Sequence, residues 1–179
     1  MVIEKEYKEL VKYTPQQEGN VILEREFCKK GACFIYGGAN HVRLTEDTYF
    51  YTLSEFIDGK KQIIVNDHPL MRKSYSKLLK DFRGNILIGG LGLGQVLFYI
   101  KTYKSIDIVE KNPDVIKIIA PYFSGMENVN IIEQDIWDFV PTKKYDFVFE
   151  DFLWEDSEKP QREKFDNKLY ANKTVHWEI

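Results

Sequence analysis

The chain is poor in cysteine, in long apolar runs and in surplus charge of either sign, and each shortage removes a class of function. Its only cysteines, Cys28 and Cys33, stand with three scattered histidines, His41, His68 and His176, at spacings that match no zinc site. A structural metal is not expected. The opening "MVIEKEYKEL" has no apolar core of the signal-peptide kind, and no stretch approaches the ~18 apolar residues of a membrane span. Neither secretion nor membrane insertion is indicated, and the expected setting is a reducing cytoplasm in which both thiols stay free. With 25 Lys and Arg against 28 Asp and Glu, the net charge is −3, which supplies no general pull toward nucleic acid or an anionic membrane. Lys60–Lys61 and the set Arg72, Lys73, Lys77, Lys80 and Arg83 read as solvated faces rather than binding patches.

What is present is enough for a real core: 44% of the 179 residues are hydrophobic and 15% aromatic, a composition that excludes disorder. The first dozen residues read as a short amphipathic helix ended by Pro15 and Gly19. Four segments rich in strand formers follow, "VILEREF", "ACFIYGG", "HVRLTEDTYFYTLSEFI" and "KQIIVND", and their alternation predicts antiparallel strands or hairpins. From Pro69 the texture changes. "PLMRKSYSKLLKDF" is a helix by spacing. "NILIGG", "SIDIVEK", "NVNIIEQD" and "KYDFVFEDF" are buried strands, with helices expected over "GQVLFYIKTY" and "PDVIKIIAPYF" and a helical turn at "IWDFV". "EKPQREKFDNKLYANK" suits one more helix and "TVHWEI" a last strand. Strand–helix alternation with continuous apolar strands predicts an α/β, doubly wound, mostly parallel sheet over 69–179, preceded by a small β-rich segment over 1–68.

Four of the eleven glycines fall within six residues, at Gly89, Gly90, Gly92 and Gly94. They occupy the turn after the first parallel strand, the usual ligand contact in such sheets, where the missing Cβ allows positive φ and close approach. The same glycines also serve a tight turn with no ligand. Glu110 closes the next strand, 20 residues after Gly90, where a carboxylate can accept from both hydroxyls of a ribose. Asp135, with Ile136 and Trp137, ends the third strand where an adenine would be met. Asp151 ends the fourth, beside the reactive end of a ligand. Each aspartate can equally be a solvated or capping residue. A dinucleotide fingerprint starting at Gly90 needs glycine at position 95, where Gln95 stands, so NAD is disfavoured. The spacing of Gly90, Gly92 and Gly94 suits a ligand without a pyrophosphate, such as S-adenosylmethionine.

In order, "ILIGGLGLG", "IDIVEKNPDVIKIIAPYF", "QDIWDF" and "YDFVFEDF" resemble the nucleoside-binding half of class I S-adenosylmethionine-dependent transferases, over about residues 85–152. The resemblance implies that Gly89, Gly90, Gly92 and Gly94 pass along the methionine part and ribose, that Glu110 holds the ribose, and that Asp135 and Ile136 frame the adenine. Two branches come into view. "VEKNPDVIKIIAPYF", the β-rich start and Gln62 followed by Asp67 resemble the spermidine synthase branch, which uses decarboxylated S-adenosylmethionine and would place Gln62 on the donor. The chain departs from it at Gly92, where that branch has an aspartate for the donor's amine, and at Met71, Arg72 and Lys73, where it has tyrosine, histidine and glutamate. "HPLMRKSYSKLL", "DIWDFVP" and "YDFVFEDF" resemble small-molecule N-methyltransferases of the guanidinoacetate type, in which an acid at Asp151 would hold a cationic acceptor. There the departure is Ile88, where an acidic residue is usual.

Methyl transfer asks mainly for alignment, with a carboxylate to orient an amine or remove its proton. Glu150, Asp151, Glu155 and Asp156 offer an acidic mouth for this, or a solvated loop. Phe152 and Trp154 offer a wall for a cation, or core packing. Three functions remain open: a methyltransferase for a small amine or guanidino acceptor, an aminopropyltransferase, and a nucleoside-binding or interaction protein without turnover. The resemblance also implies a final hairpin that this chain lacks. "TVHWEI" is therefore expected at a sheet edge covered by the N-terminal segment or a second copy of the chain.

Overall fold

The computed structural model describes residues 2–4, 11–36, 40–151 and 173–176. The strands in chain order are β1 (Val2–Glu4), β2 (Gln16–Glu18), β3 (Val21–Cys28), β4 (Cys33–Tyr36), β5 (Asn40–Leu44), β6 (Thr48–Ile57), β7 (Lys60–Asn66), β8 (Asn85–Gly89), β9 (Ser105–Glu110), β10 (Val129–Glu133), β11 (Phe147–Glu150) and β12 (Lys173–His176). Helix α1 spans Pro69–Leu78 and α2 Pro113–Ile119. Their arrangement is the Rossmann-like α/β architecture expected from the alternation of elements, with a separate antiparallel sheet before it.

Five strands form one parallel sheet in the order β10-β9-β8-β11-β12. Successive residues of a strand point to opposite faces, and in β8 both faces are buried. Ile86 and Ile88 join the main core with Ile106, Ile108 and Phe149, whereas Leu87 joins Val109, Val148, Tyr145 and Phe139 on the other side. Full coverage of both faces is why these strands read as unbroken apolar runs. β12 lies at the sheet edge, as expected for "TVHWEI". The expected helix over 158–173, together with Phe152, Trp154, Glu155 and Asp156, lies outside the described residues except for Lys173, which opens β12 instead.

β2, β3, β6 and β7 form an antiparallel sheet in that order, with Leu23 opposite Leu53 and Glu55 opposite Gln62. Its inner face contributes Val21, Leu23, Tyr51 and Leu53 to the same core that holds Ile86 and Ile88. A third sheet orders β1-β5-β4.

Several expectations need correction. Val2–Glu4 is a strand parallel to β5, not part of a helix, because two adjacent β-branched residues lie against an available strand; residues 5–10 lie outside the description. The long segment from His41 to Ile57 is two strands separated at Thr45–Asp47, and they pair with β4 and β3 rather than with each other as a hairpin. After the glycine turn there is only a 3-10 turn, Gln95–Phe98, where a helix was expected. Ten residues must return from one end of the sheet to the other before β9 starts at Ser105. A five-residue strand is about 16 Å long, and ten helical residues cover only about 15 Å with none left for turns. α2 stops at Ile119 and continues as a 3-10 turn, Ala120–Phe123, since Pro121 has no N–H for an α-helical bond. Arg72 is buried and paired with Asp67, so it leaves the solvated basic face.

Candidate active site

The carboxyl ends of β8, β9, β10 and β11 open into one cavity of about 680 Å³, closed from the other side by β7 and the start of α1. Gly90 and Gly92 line it with φ of 91° and 48°, values open to glycine at little cost. A Cβ on Gly92 would stand 3.3 Å from Val65 of β7, so the antiparallel sheet presses directly on the turn. Tyr13 reinforces it from the N-terminal segment by donating its hydroxyl to the Leu93 carbonyl.

Glu110 lines the cavity and is held at both oxygens. Oε2 accepts from the Leu91 N–H at 2.8 Å and Oε1 from the Asn112 N–H at 2.8 Å. Each oxygen keeps a further lone pair, so the carboxylate is fixed in place yet able to accept more bonds. Asn112 also caps α2, its Oδ1 accepting from Asp114 N–H at 2.9 Å, and donates from Nδ2 to Glu55 at 2.9 Å. That bond ties the end of β6 over the end of β9. Asp135 accepts from the Trp137 N–H at 2.9 Å, which shapes the turn carrying Ile136 and Trp137 into the same space.

At the β11 end, Asp151 donates its backbone N–H to the Gly89 carbonyl at 2.8 Å. Its carboxylate accepts the Tyr75 hydroxyl at 3.0 and 3.1 Å. Burial pushes the Asp151 pKa up to about 7, against the opposing pull of that hydroxyl. The Tyr75 phenol is raised too, by burial first and the Asp151 charge second. A carboxyl poised near neutrality at a cavity end is the pattern expected of a functional group.

The cavity therefore brings together Gln62, Gly90, Gly92, Glu110, Asp135, Ile136 and Asp151. Gly89 and Gly94 stand outside it. Gly89 ends β8 and acts through its carbonyl, and Gly94 is required for packing, since a Cβ there would come within 2.3 Å of the Phe123 ring. Asp67 is structural: buried, it accepts from the Tyr51 N–H and from Arg72 at 2.9 Å. Ile88 is fully buried in the core and offers nothing to a ligand. Among the lining residues that the sequence did not mark as site candidates are His68, Met71 and Tyr75. Their signal was the i, i+3, i+7 spacing of one helix face, but that same spacing also describes the core face of α1.

No protein-family model matches the sequence, and no curated protein matches it. Solved structures do. The 23S rRNA methyltransferase ErmE is 14% identical, with a TM-score of 0.51 over 59% of this chain and 45% of its own. The N-methyltransferase NodS from Bradyrhizobium japonicum WM9, in complex with S-adenosyl-L-homocysteine, is 17% identical, with a TM-score of 0.51 over 59% of each chain. This chain thus spans about half the length of the solved chains it matches. The fold is the Rossmann-like fold shared by these methyltransferases.

Proposed function

We infer that the chain is an S-adenosylmethionine-dependent methyltransferase acting on a small cationic acceptor, an amine or guanidine. The observation that carries this reading is the meeting of four strand ends in one acidic cavity. Along it stand Asp135 and Ile136, then Glu110, then Gly90 and Gly92, then Asp151. The residues fit the cofactor: a carboxylate with spare lone pairs can take the ribose hydroxyls, and the open backbone at Gly90 and Gly92 admits the thio-substituted end. When bound, the cofactor supplies a methyl carbon whose bond to sulfur breaks as the new bond to nitrogen forms, the bonding pair staying on sulfur. Asp151 orients the acceptor's cation at that end, steadied by Tyr75. Four carboxylates (Glu55, Glu110, Asp135, Asp151) and a single lysine (Lys111) line the space. This balance favours cationic ligands and disfavours a polyanion such as RNA.

The same balance supports a second reading, aminopropyl transfer from decarboxylated S-adenosylmethionine, because among the described residues lining the cavity Lys111 is the one lysine or arginine for a donor carboxylate. Calorimetric titration with S-adenosylmethionine, its decarboxylated form and methylthioadenosine separates the two. Tighter binding of the decarboxylated form reverses the order of preference, and binding of none leaves a non-catalytic interaction protein. Glu110→Ala is expected to weaken nucleoside binding about tenfold, the loss of a charge-assisted hydrogen bond or two. Unchanged affinity removes Glu110 from the site. A second copy of the chain covering the β12 edge is part of this proposal, checked by light scattering.

A further inference from the structure

We propose that the free edge of β7 takes an extended polypeptide as one more antiparallel strand, and that a lysine or arginine of that strand reaches into the acidic cavity beside it. The proposal does not depend on which donor the cavity holds. Where the reading above brings a free amine or guanidine, the strand brings the same group at the end of a side chain.

Its basis is a row of backbone groups that point away from their own sheet. β7 ends the order β2-β3-β6-β7 and pairs on one side only. The hairpin joining it to β6 turns at Asp58 and Gly59, whose φ of 51° and 73° are those of the primed turns that suit two twisted strands. Bonded and unbonded pairs therefore alternate from Ile57–Lys60 onward. Two bonds fix the phase. The Phe56 N–H goes to the Asn20 carbonyl at 2.9 Å, away from β7, and the Tyr51 carbonyl accepts from the Asp67 N–H, just past β7, at 3.0 Å. Odd-numbered residues of β6 thus bond toward β7, and Lys61, opposite Phe56, turns its N–H and C=O outward. The Ile63 N–H is outward too, since it lies trans to the Gln62 carbonyl across a planar peptide. Neither residue has another backbone partner among the described residues. The strand is exposed from Lys60 to Ile64.

An edge of this kind usually carries charge that discourages pairing. Lys60 and Lys61 stand at the hairpin end, but Gln62 to Val65 carry none. Charge and side-chain direction then select the occupant. Gln62 faces Glu55 across the pair, and both line the cavity with Glu110, Asp135 and Asp151. A residue opposite Gln62 on an added strand projects from the same face and lengthens that row by one, where a cation complements the carboxylates. Ile63 faces Ser54 on the other side of the sheet and is 62% exposed, yet it lines the cavity, so the cavity opens around this edge. The residue opposite Ile63, which precedes the cation in an antiparallel strand, is best apolar. The partner's motif is a lysine or arginine between β-branched apolar residues.

The test uses the whole chain and a short peptide, capped at both ends, with a central Val-Lys-Val among serines and threonines. On binding, the amide protons of Lys61 and Ile63 are expected to become protected from hydrogen exchange measured by NMR. Calorimetry is expected to show about tenfold weaker binding when norleucine replaces the lysine, the loss of a charge-assisted contact. Methylating the amide of the valine after the lysine, which meets the Lys61 carbonyl, is expected to weaken binding about tenfold, whereas methylating the lysine amide, which faces away, should change it by no more than about twofold. In the protein, Lys61→Pro removes the outward N–H without removing a bond to β6 and is expected to lower affinity about tenfold, while Lys61→Ala keeps that N–H and stays within about twofold. Absent protection of the two amides, equal binding of the two methylated peptides, or butylamine binding as tightly as the peptide overturns the proposal. Self-association that Lys61→Pro abolishes assigns the edge to a second copy and overturns it too. S-adenosylhomocysteine affinity, measured separately, tests the donor reading, so the two can fail apart.

Discussion

β8 and β7 lie on opposite sides of one cavity and follow opposite rules. In β8 every residue after Asn85 is buried, whereas in β7 the residues from Lys60 to Ile64 are exposed, Ile63 by 62%. One strand is held by its neighbours on both faces. The other is an edge strand whose Ile63 and Ile64 line the cavity while only Val65 reaches the core. The comparison teaches that apolar residues serve two ends here: in the parallel sheet they make the fold, and in the hairpin over it they make a surface that a ligand would cover.

Substitutions can break this contrast, beginning with the turn that joins the two sides. Gly94→Val combines φ of 65° with a Cβ position already filled by Phe123. It is expected to cost more than about 4 kcal/mol, the range of severe steric lesions, and to appear as loss of the cooperative unfolding transition. Next, Ile88→Ala in β8 should lower stability by about 2–5 kcal/mol in urea, as for other large-to-small changes in a packed core. Ile63→Ala in β7 should change it by less than about 0.5 kcal/mol while weakening S-adenosylhomocysteine binding. Equal losses of stability at the two positions would end the contrast.

A further effect is electrostatic and is read through pH. With its pKa raised to about 7, Asp151 keeps its proton in the folded protein between about pH 4 and pH 7, where an unfolded aspartate has lost it. The folded state binds more protons in that window, so the contribution of Asp151 to stability is fully present below pH 4 and falls as pH rises through 7. Melting temperature measured across this window is expected to decline in wild-type protein and to lose that component in Asp151→Asn.

The parallel strands were legible because burial on both faces leaves a run of apolar residues that little else explains. The glycine turn was legible because four glycines so close together have a backbone reason. Glu110, Asp135 and Asp151 could be located by counting from it, since each stands at or just past the end of a strand of the same sheet. The helix expected after the turn was not real, because residue spacing carries no information about how far the chain must travel before β9. Asp67 entered only through the resemblance to the spermidine synthase branch, and its carboxylate is taken up by Tyr51 and Arg72. His68, Met71 and Tyr75 were not legible, because the spacing that sets them on one wall of the cavity also describes a core face.

By itself, then, the sequence determined the architecture and the strand ends, because those follow from local periodicity and backbone sterics. Only the tertiary structure decided which residues face one another across the crevice. β7 and α1 are remote in sequence from Asp151, and their approach is set by a core shared between two sheets. Burial beside Tyr75 is what moves the Asp151 carboxyl toward neutrality, and burial is a property of the assembled packing that no single stretch of sequence contains.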